Sequence, residues 1–388
     1  MGQNEQRTFG VLRAVLLLNG VLLGLSQGTQ LQVKPIIVEE QLLWVNGVAG
    51  VKEYRCPLLT YTPKGNLLAI IEGRKTSTGD ASSKFIVTRR STDLGFEWSE
   101  ENFIYDDGPV VDGDNLGAIL VDDETATIFL FFTLCPHHVN CTVSSMMYTA
   151  SVDDGITWKK SVNISAIIQG EGHSIAFGPG RGIQLKHGKH KGRLLACGHS
   201  GSIVQCIYSD DHGKSWTYGL SLPSLPLSHL KKGDFAPNEN QPEELPDGSV
   251  MLNIRNEYRY HCNCRIVGIS TDGGETLPLS NVRLDETLID PVVSGNILMY
   301  EGVLFFSNPA SETVRMNMTL RWSYNNGTTW VGALPIWSKA SGYSCMTGQP
   351  SYNRTLKNKK YIYLMFEKGL LKSTETVSLV KISIDGTV

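Results

Sequence analysis

One eight-residue pattern recurs along the chain: Ser/Thr, any residue, Asp, any residue, Gly, any residue, Thr/Ser, Trp. Two copies are complete, Ser151 to Trp158 and Ser209 to Trp216. Three are degenerate: Ser91 to Trp98 has Glu97 at the hydroxyl position, Ser270 to Leu277 ends in Leu277, and Ser323 to Trp330 has Asn325 for Asp. Successive copies start 60, 58, 61 and 53 residues apart, a period that suits propeller blades better than helical solenoids. An Asp side chain can accept hydrogen bonds from nearby backbone N–H groups, Gly supplies φ > 0, and Trp packs the turn onto a sheet. These aspartates therefore read as structural. A calcium loop would need a longer ligand series and a distal Glu.

Between the copies lie runs of strand length rich in Val, Ile, Phe, Tyr or Leu: Asn66 to Ile71, Lys84 to Thr88, Thr127 to Thr133, Arg193 to Cys197, Ser249 to Ile254, Val303 to Ser307 and Tyr361 to Phe366. Few segments carry a sustained helical period, and no Pro-rich or Gly/Ser-rich linker divides the chain. The reading is one all-β domain over residues 29–388, a β-propeller with about four strands per repeat and about six blades. At 41% hydrophobic and 19% charged residues, the composition excludes a disordered chain and a coiled coil. With 35 Lys and Arg against 38 Asp and Glu there is no basic footprint, so nucleic acid is not the expected partner.

Arg7 and Arg13 precede an apolar run from Ala14 to Leu25 and the small-residue exit Ser26-Gln27-Gly28. Residues 1–28 are read as a cleaved signal peptide, because the run is shorter than the roughly 20 residues a membrane anchor needs. No later stretch is apolar enough to span a bilayer, and a soluble lumenal protein is expected. Sequons at Asn140, Asn163, Asn317, Asn326 and Asn353 agree with that route. All eight cysteines follow the cleavage point, and Cys135 with Cys141 is the first pair expected. His261-Cys262-Asn263-Cys264 invites a zinc reading, but no second ligand pair stands at suitable spacing.

A propeller brings distant residues together on its axis. Arg55, Arg255 and Arg315 stand at strand ends in different repeats. Singly, each reads as a salt-bridged structural residue; facing one cavity, three guanidiniums would select a planar carboxylate.

Several features taken together resemble the exo-α-sialidases (neuraminidases), and within them the vertebrate lysosomal branch. They are Arg55-Cys56-Pro57 (Arg-Ile-Pro in the family), the Asp-centred turns, Asp80 before the first turn, Gln241-Pro242-Glu243-Glu244, the arginine that follows, and Gly342-Tyr343-Ser344. The resemblance implies a six-bladed propeller that hydrolyses terminal sialic acid from glycoproteins, oligosaccharides and glycolipids with retention, using no metal or organic cofactor. It implies Arg55, Arg255 and Arg315 as the triad that grips the substrate carboxylate. Tyr343 is then the nucleophile, Glu244 its base and Asp80 the general acid/base, with Arg74 near the ring substituents and Asn115 in contact with the sugar. It further implies the lysosome lumen and a complex with the serine carboxypeptidase cathepsin A (protective protein). The lysosomal relative ends in Tyr-Gly-Thr-Leu whereas this chain ends Ile384-Asp385-Gly386-Thr387-Val388, so delivery to the cell surface or secretion is the other expectation.

The chemistry explains these residue types. Most retaining glycosidases use a carboxylate nucleophile, and sialidases with a Tyr nucleophile are exceptions. The anomeric carbon of sialic acid already bears a carboxylate, so an anionic attacker would meet like-charge repulsion. A neutral phenol avoids it, but with an ordinary pKa near 10 it needs an adjacent base and nearby positive charge. Apart from the family, Tyr343 reads as a packed aromatic and Asp80 as a solvated loop carboxylate. The alternative function is a propeller that binds glycans or proteins without hydrolysing them.

Overall fold

All of the Asp-centred patterns fold into the same turn. In the second copy Ser151 Oγ donates to Asp153 Oδ1 at 2.8 Å and accepts from Gly155 N at 2.9 Å, while Thr157 N donates to Asp153 Oδ1 at 2.9 Å. The degenerate copies keep the geometry because backbone groups carry it. Glu97 N reaches Asp93 Oδ1 at 2.9 Å without a hydroxyl at that position, and Asn325 Oδ1 accepts from Thr329 N at 2.9 Å in place of a carboxylate. The turn glycines, Gly95, Gly155, Gly213, Gly274 and Gly327, have φ between 76° and 86°, a region where a Cβ is strained. At Gly213 a Cβ would also stand 2.5 Å from the Phe129 ring. Trp216 is 2% exposed, and Leu277 takes the corresponding place at 7%; full burial of such side chains stabilises by about 1.5–3 kcal/mol each.

The computed structural model describes residues 31–80, 82–106, 108, 113–135, 144–224, 236–257, 262–350 and 359–387. The signal-peptide expectation for residues 1–28, and the sequons at Asn140 and Asn353, lie outside these. Each of the predicted runs matches an observed strand to within one residue at its start. Two sheets are simple antiparallel meanders: Glu53–Tyr61, Leu67–Arg74, Lys84–Ser91, Asn102–Asp106, and Pro237–Glu244, Val250–Asn256, Cys264–Ser270, Val282–Ile289. Two five-stranded sheets are built on Gly113–Asp122, Thr127–Cys135, Ser145–Ser151 and on Leu194–Ser200, Ile203–Ser209, Thr217–Pro223. A seven-stranded sheet runs from Asn296–Tyr300 through Val303–Pro309, Met316–Ser323, Gly332–Gly348, Tyr361–Lys368 and Thr376–Ser383 to Ile36–Val45. Ile36–Val45 pairs antiparallel with Thr376–Ser383, so early chain completes the last sheet.

The result is an all-β propeller arrangement. Its apolar core is divided among clusters between neighbouring sheets. Leu58, Leu68 and Ile86 pack on Leu116, Ile128 and Leu130, and Leu59, Leu67 and Val87 pack on Tyr363, Met365 and Val377. Strand alternation explains this, since Leu58 and Leu59, or Leu67 and Leu68, point to opposite faces of one sheet and feed different clusters. Cys197 and Cys206, opposite each other on adjacent strands, form a disulfide, as do Cys262 and Cys264. The latter pairing consumes the thiols of the zinc reading. Cys135 is disulfide-bonded, and its expected partner Cys141 lies outside the described residues.

Candidate active site

The inner strands bring together residues that are remote in sequence. Arg55 lies on Glu53–Tyr61, Arg255 on Val250–Asn256, Tyr343 on Gly332–Gly348, and Arg315 immediately before Met316–Ser323. Tyr343 is 8% exposed, with the guanidinium carbons of Arg55 and Arg315 at 5.2 and 5.5 Å from its ring centroid. Arg255 Nη1 donates to the Tyr343 hydroxyl at 3.3 Å. The three arginines expected around one cavity therefore do surround one phenol.

The carboxylate at that phenol is Glu239. Tyr343 Oη donates to Glu239 Oε1, and Arg255 Nη1 donates to Glu239 Oε2 at 2.8 Å. This corrects the expectation for Glu244, whose carboxylate instead accepts from Lys186 N at 2.7 Å and His187 N at 2.9 Å. The reason is strand geometry. Both glutamates lie on Pro237–Glu244, but five residues of extended strand separate them by about 16 Å, and odd spacing turns the side chains to opposite faces.

A second carboxylate, which sequence reasoning missed, locks the arrangement from below. Glu367 is fully buried; its Oε1 accepts from Arg55 Nε at 2.7 Å and Cys56 N at 3.1 Å, and its Oε2 accepts from Tyr343 N at 2.9 Å. One side chain thus fixes the Arg55 guanidinium and the Tyr343 backbone together. Nothing local in the sequence marks it.

Electrostatics follow from these contacts. Burial, and next the Glu239 carboxylate, push the Tyr343 phenol well above its ordinary value, while Arg255 and Arg315 pull it back in part. The resting phenol is therefore protonated. Burial works against the charge on Arg55, but attraction to Glu367 together with smaller contributions from its other neighbours outweighs it and holds the guanidinium firmly protonated.

Arg74 forms the second arm of the site. It is 3% exposed, and it donates to Glu72 Oε1 from Nε at 3.0 Å and to Asp80 Oδ1 from Nη2 at 2.6 Å. Glu53 joins the two arms, with Oε2 at 3.7 Å from Arg74 Nη1 and 3.9 Å from Arg55 Nη1. Asp80 sits on a loop with its side chain 85% exposed. Partial desolvation by the surrounding site raises its pKa, but the opposing pull of Arg74 and Lys84 leaves it below the usual carboxylate value. Asn115 is one layer further out, its Oδ1 accepting from Lys84 Nζ.

Of the sequons within the described residues, Asn163 is exposed and Asn317 and Asn326 are half-buried. Among the described residues no group of three or more His, Cys, Asp or Glu is placed to hold a metal ion, and no helix is long and apolar enough to cross a membrane.

Residues 65–363 match the family described as BNR repeat-like domain. A sialidase of Micromonospora viridifaciens is 32% identical over 348 residues, which cover 82% of this chain and 51% of that relative. The chain thus spans about half the length of that bacterial protein. Sialidase-2 of Mus musculus is 26% identical over 319 residues, 75% of this chain and 77% of the relative. Among solved structures, the Hadza microbial sialidase Hz136 superposes with a TM-score of 0.72 at 23% identity, covering 90% of this chain and 69% of that one.

Proposed function

This chain belongs to the sialidase family with BNR repeats, and on that premise we propose that it is an exo-α-sialidase, a glycoside hydrolase that releases terminal sialic acid with retention. The observation that carries the reading is the hydrogen bond from Tyr343 to Glu239 inside a ring of three arginines. A binding module would have no need of a phenol paired with a carboxylate at the point where the guanidiniums converge. The substrate class is sialylated glycoconjugates.

In the proposed reaction Arg55, Arg255 and Arg315 hold the sialic acid carboxylate. Glu239 withdraws the phenolic proton as Tyr343 Oη attacks the anomeric carbon, and the positive ring around the phenol lowers the cost of the developing phenoxide. Asp80 gives its proton to the departing glycosidic oxygen. Water then attacks the glycosyl–tyrosine bond; Asp80 takes the water's proton and Glu239 returns the other to Tyr343. The pairing with Arg74 keeps unliganded Asp80 ionised into the acid range. A bound substrate would shield Asp80 from water and raise its pKa, and an acidic lumen favours the protonated form.

We further read the fold as six blades. Gly332–Gly348 pairs with Met316–Ser323 through its first half and with Tyr361–Lys368 through its second, so the seven-stranded sheet counts as two blades sharing one long strand. An Asp-centred turn that follows Thr376–Ser383 supports this, with Ser383 Oγ donating to Asp385 Oδ1 at 3.0 Å. The 1–28 leader, which rests on the apolar run Ala14 to Leu25, belongs to the same proposal, as do lysosomal delivery and the carboxypeptidase partner, which rest on the family resemblance.

The test is release of free sialic acid from a fluorogenic α-sialoside by the wild type and by Tyr343→Phe, with NMR following the first anomer released. Activity lost in a folded Tyr343→Phe variant, and the α-anomer appearing first from the wild type, are expected. First release of the β-anomer would overturn retention, and full activity in the variant would remove Tyr343 as nucleophile.

A further inference from the structure

Three inner strands run away from the candidate active site together: Arg55 to Thr60, Glu239 to Glu243 and Tyr343 to Thr347. Four or five extended residues carry each about 13–16 Å. A buried polar layer closes the axis on the way. Gln241 Nε2 donates to Ile297 O at 2.7 Å, and Met346 N donates to Asn296 Oδ1 at 2.9 Å. Beyond that layer the same strands line a cavity of about 410 Å³, which Tyr343, Glu239 and the three arginines around the phenol do not touch. We propose that this cavity is a second binding site for a neutral, polyhydroxylated ligand of one or two sugar rings, held by Arg181, Lys186, Glu243, Tyr300 and Gln349.

Charge decides the ligand class. Arg181, Lys186 and His187 face Asp123, Glu243, Glu244 and Glu301 across the cavity wall. Three of the acids have a permanent cation beside them, Glu243 with Arg181 at 3.4 Å, Asp123 with Lys186 at 3.6 Å and Glu301 with Lys360 at 2.6 Å, while Glu244 lies 3.3 Å from the His187 ring. A wall on which acids and bases alternate in this way attracts neither a free anion nor a free cation strongly. It does set donors beside acceptors, the pattern that a hydroxyl, which both donates and accepts, can satisfy.

Two further observations point to a ligand. Gln349 is 4% exposed, lines the cavity, and its Oε1 has no hydrogen-bond partner among the described residues; a buried acceptor of this kind costs free energy until a donor reaches it. Arg181 is held loosely, with Nη1 at 3.3 Å from Met346 O and Nη2 at 3.4 Å from Glu243 Oε2, so its donors can turn to a bound oxygen. Tyr300 supplies the apolar wall. Its ring lies so close to the Gly348 backbone that a Cβ there would stand 2.4 Å from Cδ2. The volume falls in the range of small-molecule sites, roughly 300–1,000 Å³.

The inference does not depend on the chemistry at Tyr343, and its test separates the two sites. Lactose is titrated into the full chain and followed by saturation-transfer NMR, with and without a carboxylate-bearing sialic acid analogue. Saturable lactose binding that persists under the analogue is expected. Gln349→Met and Lys186→Ala should each weaken it about tenfold, the scale of one hydrogen bond, while Tyr343→Phe leaves it unchanged. Lys186 has a 68% exposed side chain, so its replacement keeps the test open if Gln349→Met fails to fold. No saturable lactose binding, displacement of lactose by the analogue, or unchanged affinity in the substituted chains would each overturn the proposal.

Discussion

Tyr343 Oη donates its hydrogen bond to Oε1 of Glu239, a residue 104 positions earlier in the chain. The pair gives the phenol a base at contact distance, and a general base of this kind is worth about 10²–10⁴ in rate. Glu239→Gln is therefore expected to lower kcat/KM for a fluorogenic sialoside by that factor while folding normally. Glu244→Gln, remote from the phenol, should stay within a few-fold of wild type. Equal losses in the two variants would argue against Glu239 as the base.

Glu367 joins Arg55 and the Tyr343 backbone through one buried carboxylate. Removing its charge leaves Arg55 buried without its closest counter-ion, and breaking a buried pair destabilises by about 3–5 kcal/mol. Glu367→Gln, which preserves shape, should lower the melting temperature and raise KM more than it lowers kcat, because Arg55 holds the substrate carboxylate before and during reaction. Thermal denaturation and steady-state kinetics together check this. A fall confined to kcat would sink the positioning role.

How far the chain could be read from its residues depends on the range of each contact. The turns are local, each staple spanning four residues or so, and they were legible even where degenerate; Leu277 fills the Trp position because burial, not chemistry, is what that position asks for. Strand starts were legible from apolar runs for the same reason. The arginines and Tyr343 were legible through the family resemblance. Glu244 stands in a recognisable local motif and Glu239 does not, yet the sequence holds the deciding signal. The turn at Pro246-Asp247-Gly248 sets a register in which Glu244 faces Val250 and Asn240 faces Ile254. Counting one step further reaches a bulge that interrupts the ladder, and Glu239 still meets Arg255 there. No such count reaches Glu367, 312 positions from Arg55, because the contact exists only once the last sheet meets the first. The cavity beyond Gln241 was illegible for the same reason, being made by several sheets at once.

Glu243 makes acid stability testable. Burial pushes its carboxyl up from 4.5 to about 7, against the opposing pull of Arg181. Between those values the folded protein holds a proton that the unfolded chain releases. The stabilisation relative to the ionised form is fully present below about pH 4.5 and is lost as pH rises through 7, roughly 3 kcal/mol in all. The melting temperature should fall between pH 5 and pH 8, and Glu243→Gln, a permanently neutral isostere, should flatten that dependence. An unchanged slope in the variant would place the titrating group elsewhere.

Arg74 and Asp80 give the pH prediction for the reaction itself. The carboxyl of Asp80 is raised by partial desolvation but lowered further by Arg74, whose Nη2 lies 2.6 Å away, and by Lys84. If Asp80 is the acid, activity falls as pH rises through its pKa in the substrate complex, so that group sets the alkaline limb of kcat against pH. Arg74→Gln removes the strongest of the pulls that hold the proton off, and the limb should move to higher pH even as the absolute rate drops. Lys84→Met, which removes the weaker pull, should move it the same way by less. The ordering distinguishes an electrostatic origin from general damage to the site, since misfolding lowers the rate at every pH without moving the limb. A limb that stays in place in both variants would exclude Asp80 as the proton donor.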